Sequence, residues 1–249
     1  MAELLKVEQL TKRFGGLLAN HRIDFHVDQG EMVGLIGPNG AGKTTFFNVL
    51  TGFYKPDGGR VLFTGLDVTG KTPEWLCIHG LTRTFQVVKT LKGMTVLENV
   101  MVGAFVHARG TGEARRQAEE ILRFGGLYKK KDMLAGGLTI ADKKRLEMLR
   151  ALATQPKLLL LDEAMAGLNP AEVQDAVALV RRINQEGVTI ILVEHVMEVV
   201  MPLSHRVVVL AGGEKIAEGP PEAIAHDPVV IEAYLGEKYA RRQQALGEL

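Results

Sequence analysis

One cysteine, Cys77, is all that this 249-residue chain could bring to a thiol cross-link. No internal disulfide can form, no cysteine spacing of a zinc site exists, and the usage fits a reducing compartment. An excess of charge of one sign is missing as well. Lys plus Arg number 30 against 29 Asp plus Glu, a formal net charge of +1, so the chain lacks the electrostatic footprint of a nucleic-acid or anionic-membrane binder. No apolar run approaches the roughly 18 residues that span a bilayer, and the opening MAELLKVEQL lacks the basic start and apolar stretch of an export signal. A cytoplasmic protein is expected; if membranes matter, another chain crosses them. Internal repeats and low-complexity segments are absent too. What is present is an apolar fraction of 46%, enough to fill the core of one large α/β domain or two small ones.

Residues 4–35 read as short alternating strands, with Ile23, Phe25 and Val27 on one face of NHRIDFHV, leading into the apolar EMVGLIG. A glycine-rich turn then opens onto TTFFNVLTGF, which reads as a helix. From 95 to 125 the pattern is helical, and ARRQAEEIL keeps its charges on one side while Ile121 and Leu122 face a core. The apolar helix TVLENVMVGAFV packs into a core or docks a partner. Another helix over 139–154 runs into the continuous apolar strand KLLLLD, and the helix PAEVQDAVALVRRINQEG separates that strand from a second buried one, VTIILVE. Strand alternating with helix implies a parallel sheet covered on both faces. RVVVLAGGEKIAEG reads as a closing hairpin, and DPVVIEAYLGE as a last helix before a charged tail.

The strongest chemical signal is GPNGAGKT at 37–44, between a predicted strand and a predicted helix: Gly37, Pro38, Asn39, Gly40, Ala41, Gly42, then Lys43, Thr44 and the following Thr45. The glycines let the backbone turn tightly, so that its amides and the positive end of the helix face phosphate oxygens. Lys43 is placed to reach the β and γ phosphates of ATP, the Thr44 hydroxyl to sit on Mg²⁺, and Thr45 to touch the α phosphate. Next, LLLLDEA ends a buried strand on two adjacent carboxylates. Asp162 is expected to hold Mg²⁺, directly or through water, and Glu163 to orient or deprotonate the attacking water. A strand ending in acidic residues is common by itself; beside a phosphate loop it marks a hydrolytic site. His195 follows VTIILVE and, in a parallel sheet, emerges at the same edge as Asp162, as a candidate sensor of the γ phosphate. Gln86, in LTRTFQVV, is a candidate to bring a neutral amide to Mg²⁺ or water. Alone, either residue is ordinary.

Taken in order, Phe14, GPNGAGKT, Gln86, LLLLDE, AGLNP and His195 resemble the ATP-binding cassette (ABC) family, over almost the whole chain. The resemblance implies a single ABC ATPase cassette over 1–249, an α/β protein of the P-loop NTPase, RecA-like kind. Its nucleotide-binding core, with an antiparallel β subdomain, would take 1–86 and 136–236, a helical subdomain 87–135, and a C-terminal tail 237–249. It also implies that Phe14 stacks on adenine, that Gln86 links the nucleotide to the helical insert and a membrane subunit, and that His195 contacts the γ phosphate. The implied partners are a second ATPase subunit, identical or paralogous, and integral membrane permease subunits on the inner face of the cell membrane. A periplasmic or extracellular substrate-binding protein acts indirectly, and no nucleic acid is involved. The runs RFGGLLA, GFYKPDGG, RTFQ, TVLENV and EAYLGE look like the ATPase subunits of branched-chain amino acid importers.

Two places depart from the family pattern. Where the family carries a Leu-Ser-Gly-Gly-Gln signature that reaches the partner's γ phosphate, this chain has Leu138, Thr139, Ile140, Ala141 and Asp142. Thr139 and Asp142 read as a capping box opening KKRLEMLRALA, and a helix N-terminus keeps free amides, so Thr139 remains a candidate for phosphate contact in trans. The bulk of Ile140 and Ala141 and the charge of Asp142 predict slow basal turnover. Asn169 stands where the family usually has aspartate, and with Pro170 and Glu172 it forms a helix start, contact with the dimer face being its secondary reading. The basic clusters at 129–131 and 143–145 read as solvated helix faces, because no aromatic platform interleaves them. Four rivals stand beside an amino acid importer ATPase. A soluble ABC ATPase of DNA repair or translation would need a coiled-coil insertion or a second cassette, and this chain has neither. A lipopolysaccharide- or lipid-type ABC export ATPase shares the motifs. A small-molecule kinase shares the loop, but Asp162, Glu163 and His195 favour water as the nucleophile. A nucleotide-gated scaffold with little hydrolysis fits the altered signature.

Overall fold

The computed structural model describes residues 2–85, 89–194 and 196–234. Gln86, His195 and the tail therefore lie outside the described residues. Strands β1 (Glu3–Phe14) and β2 (Leu17–Asp28) pair antiparallel, with Ile23, Phe25 and Val27 buried between more exposed neighbours as the alternation requires. These strands are long rather than short. Gln9 and Arg22 take left-handed backbone at register shifts (φ 50° and 46°), so the ribbon bends at bulges without its ladder ending. The Asp24 carboxylate accepts the Gln9 amide at 2.8 Å and steadies one of these bends.

Strand β3 (Met32–Ile36) feeds α1 (Lys43–Leu50). Then β4 (Gly58–Phe63) and β5 (Leu66–Asp67) complete a four-stranded antiparallel sheet in the order β2-β1-β4-β5. Helix α2 (Pro73–Ile78) leads to the short β6 (Leu81–Arg83). Helices α3 (Val96–Ala104) and α4 (Thr111–Phe124) follow, then α5 (Ile140–Leu152), β7 (Leu158–Asp162), α6 (Pro170–Gln185), β8 (Thr189–Val193), α7 (Met197–Leu203), β9 (Arg206–Ala211), β10 (Glu214–Gly219) and α8 (Pro221–Ala225). Residues 228–234 are helical. The second sheet has the order β10-β9-β3-β8-β7-β6, parallel except at β10, which returns as the expected hairpin.

Strand alternation divides the core in two. From the parallel strands, Val33, Leu35, Leu158, Leu160, Ile191, Val193, Val208 and Leu210 pack with the antiparallel sheet and α1. Met32, Ile36, Leu159, Leu161, Ile190, Leu192, Val207 and Val209 pack with the helices of the other face. Continuous apolar strands such as LLLL are thus explained by burial on both faces, and each such side chain contributes about 1.5–3 kcal/mol. The helix over TVLENVMVGAFV puts Val96, Leu97, Val100, Met101 and Ala104 into this core and leaves Val102 and Phe105 exposed. The α/β architecture of a P-loop NTPase, with its separate antiparallel sheet, is the one the sequence led us to expect.

Candidate active site

Register aligns Leu35 and Asp162 with Val193, so β3, β8 and β7 end together at one edge of the parallel sheet, where such sheets place their ligands. Between Ile36 and Lys43 the chain makes its phosphate-loop turn. Gly37 (φ 153°) and Gly42 (φ 96°) admit no side chain there: an added Cβ would fall 2.1 Å from the Leu210 carbonyl oxygen and 2.3 Å from that of Ala19. Gly42 caps α1 without any side-chain bond, which leaves the first-turn amides facing outward for an anion. Lys43 is buried, and its ammonium donates back to the carbonyls of Gly37 (2.6 Å) and Pro38 (3.0 Å) across the turn.

A cavity of about 480 Å³ lies over this loop. Asn39, Gly40, Ala41, Gly42, Lys43, Thr44 and Thr45 line it together with Glu163, and Phe14, Leu17, Leu18, Ala19 and Gly212 complete its wall. Phe14 is 42% exposed, with Tyr54 edge-on at 5.2 Å and the Lys12 ammonium 5.4 Å from its ring. A half-free aromatic at the wall of this cavity is suited to stacking on a base.

Asp162, at the end of β7, is only 2% exposed. Its Oδ2 accepts from Arg83 at 2.7 Å, while Oδ1 has no hydrogen-bond partner. Burial pushes the carboxyl above its usual range; Arg83 and Lys43 pull it down, and the Glu163 charge adds to the rise. An orphaned buried carboxylate oxygen at the sheet edge where β3 enters the phosphate loop fits a hard divalent cation. Among the described residues no group of three His, Cys, Asp or Glu side chains could cage a metal.

Glu163 has left-handed backbone (φ 48°), a conformation unusual for a residue with a side chain. Both its peptide groups are held. Its amide donates to the Val193 carbonyl at 2.9 Å, and its carbonyl accepts from the Lys144 ammonium at 2.8 Å. Lys144 is buried on α5, and burial pushes its pKa down against the pull of Glu194, Glu147 and Glu163. The loop beyond is fixed by Glu194, which accepts the Met165 amide at 2.8 Å.

Several expectations change at α5. The basic clusters are not plain solvated faces: Lys130 pairs with Asp142, Lys131 with Glu119 (3.1 Å) and Arg145 with Asp175 (3.6 Å), while Lys144 is interior. Only half of the capping box at Thr139 forms. The hydroxyl accepts the Asp142 amide at 3.1 Å, but the Asp142 carboxylate turns to Lys130, so its charge does not stand uncompensated at the helix start. Thr139 lines a separate groove of about 250 Å³ with Leu168, Glu172 and Asp175, away from the phosphate loop of its own chain. At α6 the box is complete: Asn169 accepts the Glu172 amide at 3.0 Å, Glu172 accepts that of Asn169 at 2.9 Å, and Pro170 opens the helix. The structure brings Phe14, the loop from Asn39 to Thr45, and Glu163 around one cavity. Arg83 and Lys144 touch the two carboxylate residues, and sequence reasoning gave neither a role: Arg83 opens the run RTFQ between two threonines, and Lys144 lies inside the basic cluster Lys143–Arg145.

The sequence matches the ABC transporter family over residues 20–166, and the branched-chain amino acid ATP-binding cassette transporter family over 214–240. The high-affinity branched-chain amino acid transport ATP-binding protein BraF of Pseudomonas aeruginosa is 41% identical, over 94% of this chain and 98% of its own length. LivG of Escherichia coli, of the same description, is 42% identical over the same shares. Among solved structures, the ADP conformation of an ATP-binding cassette of an ABC transporter superposes with a TM-score of 0.86 at 35% identity, covering 95% of this chain and 100% of that one. A dimeric post-hydrolysis cassette bound to ADP and Pi gives 0.78 at 25% identity, over 88% of this chain and 99% of that one. Likeness of this extent, on a sheet edge built to hold a triphosphate, carries one conclusion: the chain belongs to the ABC transporter family and is one of its ATP-hydrolysing cassettes.

Proposed function

We propose that this cassette powers the import of branched-chain or related amino acids through a separate permease. The observation that carries the reading is the joint one of full-length likeness to BraF and LivG and a family match that extends into the C-terminal segment at 214–240. No helix among the described residues is long and apolar enough to cross a membrane. The chain works at the inner face of the cell membrane on integral permease subunits, and a periplasmic or extracellular binding protein delivers the cargo. The whole of 1–249 acts as one cassette, with its helical insert at 87–135 turned to the permease.

In the site, Phe14 stacks on adenine, and the α1 amides with Asn39, Gly40, Thr44 and Thr45 follow the phosphates. Lys43 exchanges its contacts with the Gly37 and Pro38 carbonyls for β- and γ-phosphate oxygens. Thr44, Asp162 and Gln86 would hold Mg²⁺, which would supply positive charge against that of the phosphates. Glu163 orients a water, takes its proton as its oxygen attacks the γ phosphorus, and so contributes roughly 10²–10⁴-fold; the bond to the β-phosphate oxygen breaks, giving ADP and phosphate. His195 senses the γ phosphate. Two copies, or one copy and a paralogue, sandwich two nucleotides, each completed in trans by the other's Thr139 segment, and their separation after hydrolysis drives the transporter.

Glu163→Gln tests the chemistry: ATP binding persists and steady-state turnover falls by about 10²-fold or more, whereas unaltered turnover removes Glu163 from this role. Cargo is tested by uptake of labelled leucine, isoleucine and valine in cells with and without the gene. Uptake of all three independent of the gene overturns that assignment and leaves the ATPase intact.

A further inference from the structure

Where β6 ends, the Arg83 guanidinium is buried and every edge of it is used. Nη2 donates to Asp162 Oδ2 at 2.7 Å, Nη1 to Asn48 Oδ1 at 2.6 Å, and Nε to the Thr84 carbonyl at 3.1 Å. Its flat faces meet the rings of Phe53 and Phe85, at 5.6 and 4.8 Å from Cζ. Nη1 also reaches the Thr51 hydroxyl at 3.4 Å. These acceptors, on α1 and its C-terminal cap, at the end of β7 and on the neighbouring Thr84, fix one orientation of a planar fork between aromatic walls. Asn48 lies on α1, the helix whose first turn carries Lys43 and Thr44, so the guanidinium spans from the phosphate-loop helix to the end of β7.

The consequence falls on Asp162. Its amide donates to the Thr84 hydroxyl at 3.3 Å and its Oδ2 is taken by Arg83, which leaves Oδ1 as the one oxygen without a partner. Rotation of the carboxylate would break a charge-assisted bond inside the protein, where no water replaces it. The free oxygen is thereby aimed by the bound one. We propose that Arg83 is a positioning residue for ATP hydrolysis: it clamps Asp162 by one oxygen, presents the other to the Mg²⁺ that accompanies ATP, and keeps that carboxylate in register with α1 through Asn48. The proposal rests on the reading of Asp162 as the metal's carboxylate. Lysine cannot substitute, because a compact ammonium on a flexible stem does not hold these separated acceptors in one plane.

The full-length chain is used throughout. In the Glu163→Gln background, which suppresses turnover, a fluorescent ATP analogue is titrated with and without Mg²⁺. Adding Arg83→Lys raises the Mg²⁺ concentration for half-maximal binding by roughly 10- to 100-fold, the usual effect of removing a partner of a metal-holding group. Affinity for the metal-free nucleotide stays unchanged. On an Asp162→Asn background the same substitution adds nothing, because Arg83 acts through that carboxylate. An unshifted Mg²⁺ requirement, or a shift that adds in full to that of Asp162→Asn, overturns the proposal. Should Asp162→Asn itself leave the Mg²⁺ requirement intact, the metal assignment falls and this inference with it. If Arg83→Lys does not fold, Asn48→Ala carries the test: it removes the shorter of the two contacts to α1, leaving Thr51 at 3.4 Å, spares the ion pair, and raises the Mg²⁺ requirement by a smaller factor, and no rise overturns the proposal.

Discussion

Glu163 shows how a single residue depends on another that no motif contains. Its left-handed backbone is held by the Val193 carbonyl on one side and the Lys144 ammonium on the other. Lys144→Met keeps much of the side-chain volume but leaves the Glu163 carbonyl without its donor, which costs about 1–3 kcal/mol of stability. Turnover is expected to fall further than ATP affinity, because the loop that carries the carboxylate loosens while the phosphate loop is untouched; thermal unfolding and a comparison of kcat with KM check both. A fall in affinity with kcat preserved would remove Lys144 from this role. The phosphate loop was legible in the sequence because its chemistry is contiguous, one turn of backbone with each residue type set by a local need. Arg83 and Asp162 lie 79 positions apart, and Lys144 and Glu163 lie 19 apart on different elements. Nothing in spacing or periodicity marks such pairs, since only the folded sheet and the packing of α5 bring them together.

At the scale of elements, the parallel strands, α5, α6 and the β9-β10 hairpin were readable from apolar runs and caps, which are local. The length of β1 and β2 was not, because bulges at left-handed Gln9 and Arg22 carry a ladder through residues that break the alternation. The half-formed cap at Thr139 was missed for a related reason: Lys130, distant on the chain, outcompetes the helix's own amide for Asp142. Another unforeseen tie joins the two sheets. Arg206, at the start of β9, donates to Glu31 at 2.8 and 3.0 Å, to the His26 carbonyl at 2.8 Å, and to Glu218 on β10. Burial alone would push the Glu31 carboxyl up, but Arg206 and the Asp28 amide overcome it and hold it below 4.5. Burial opposes Lys215 and Arg206 at Glu218 in the same way, with the same net direction. Both carboxylates therefore bind protons less readily folded than unfolded. Their contribution to stability is complete above pH 4.5 and is lost as pH falls through their lowered folded values. Arg206→Met is expected to cost about 2 kcal/mol at pH 7, measured by urea unfolding, and the gap between variant and parent narrows as pH drops below 4.5. A gap that is constant with pH would mean that packing, not charge, is what Arg206 supplies.

Over the whole molecule, the altered signature bears on the contact proposed between two ATPase subunits. A net charge of +1 per chain gives little repulsion between them, so association is set by local complementarity and depends weakly on salt. Ile140, the first residue of α5, is 63% exposed and follows Thr139, the residue assigned to the partner's triphosphate. An aspartate at this position sits in the first turn of a helix, where a negative charge favours folding by about 0.3–1 kcal/mol. Facing a triphosphate across the sandwich, the same charge is repelled. Ile140→Asp therefore separates the two scales: the isolated chain unfolds at the same temperature or slightly higher, while in the Glu163→Gln background with Mg·ATP the dimer weakens by at least tenfold, or about 1.4 kcal/mol. Light scattering across a concentration series reads the second effect. Ile140→Gly acts in the opposite sense, removing bulk from the closing surface at a helix cost below about 1 kcal/mol, so basal ATPase activity rises. A dimer indifferent to a carboxylate at 140 would place the start of α5 outside the sandwich, and the slow turnover expected of this signature would then need another cause.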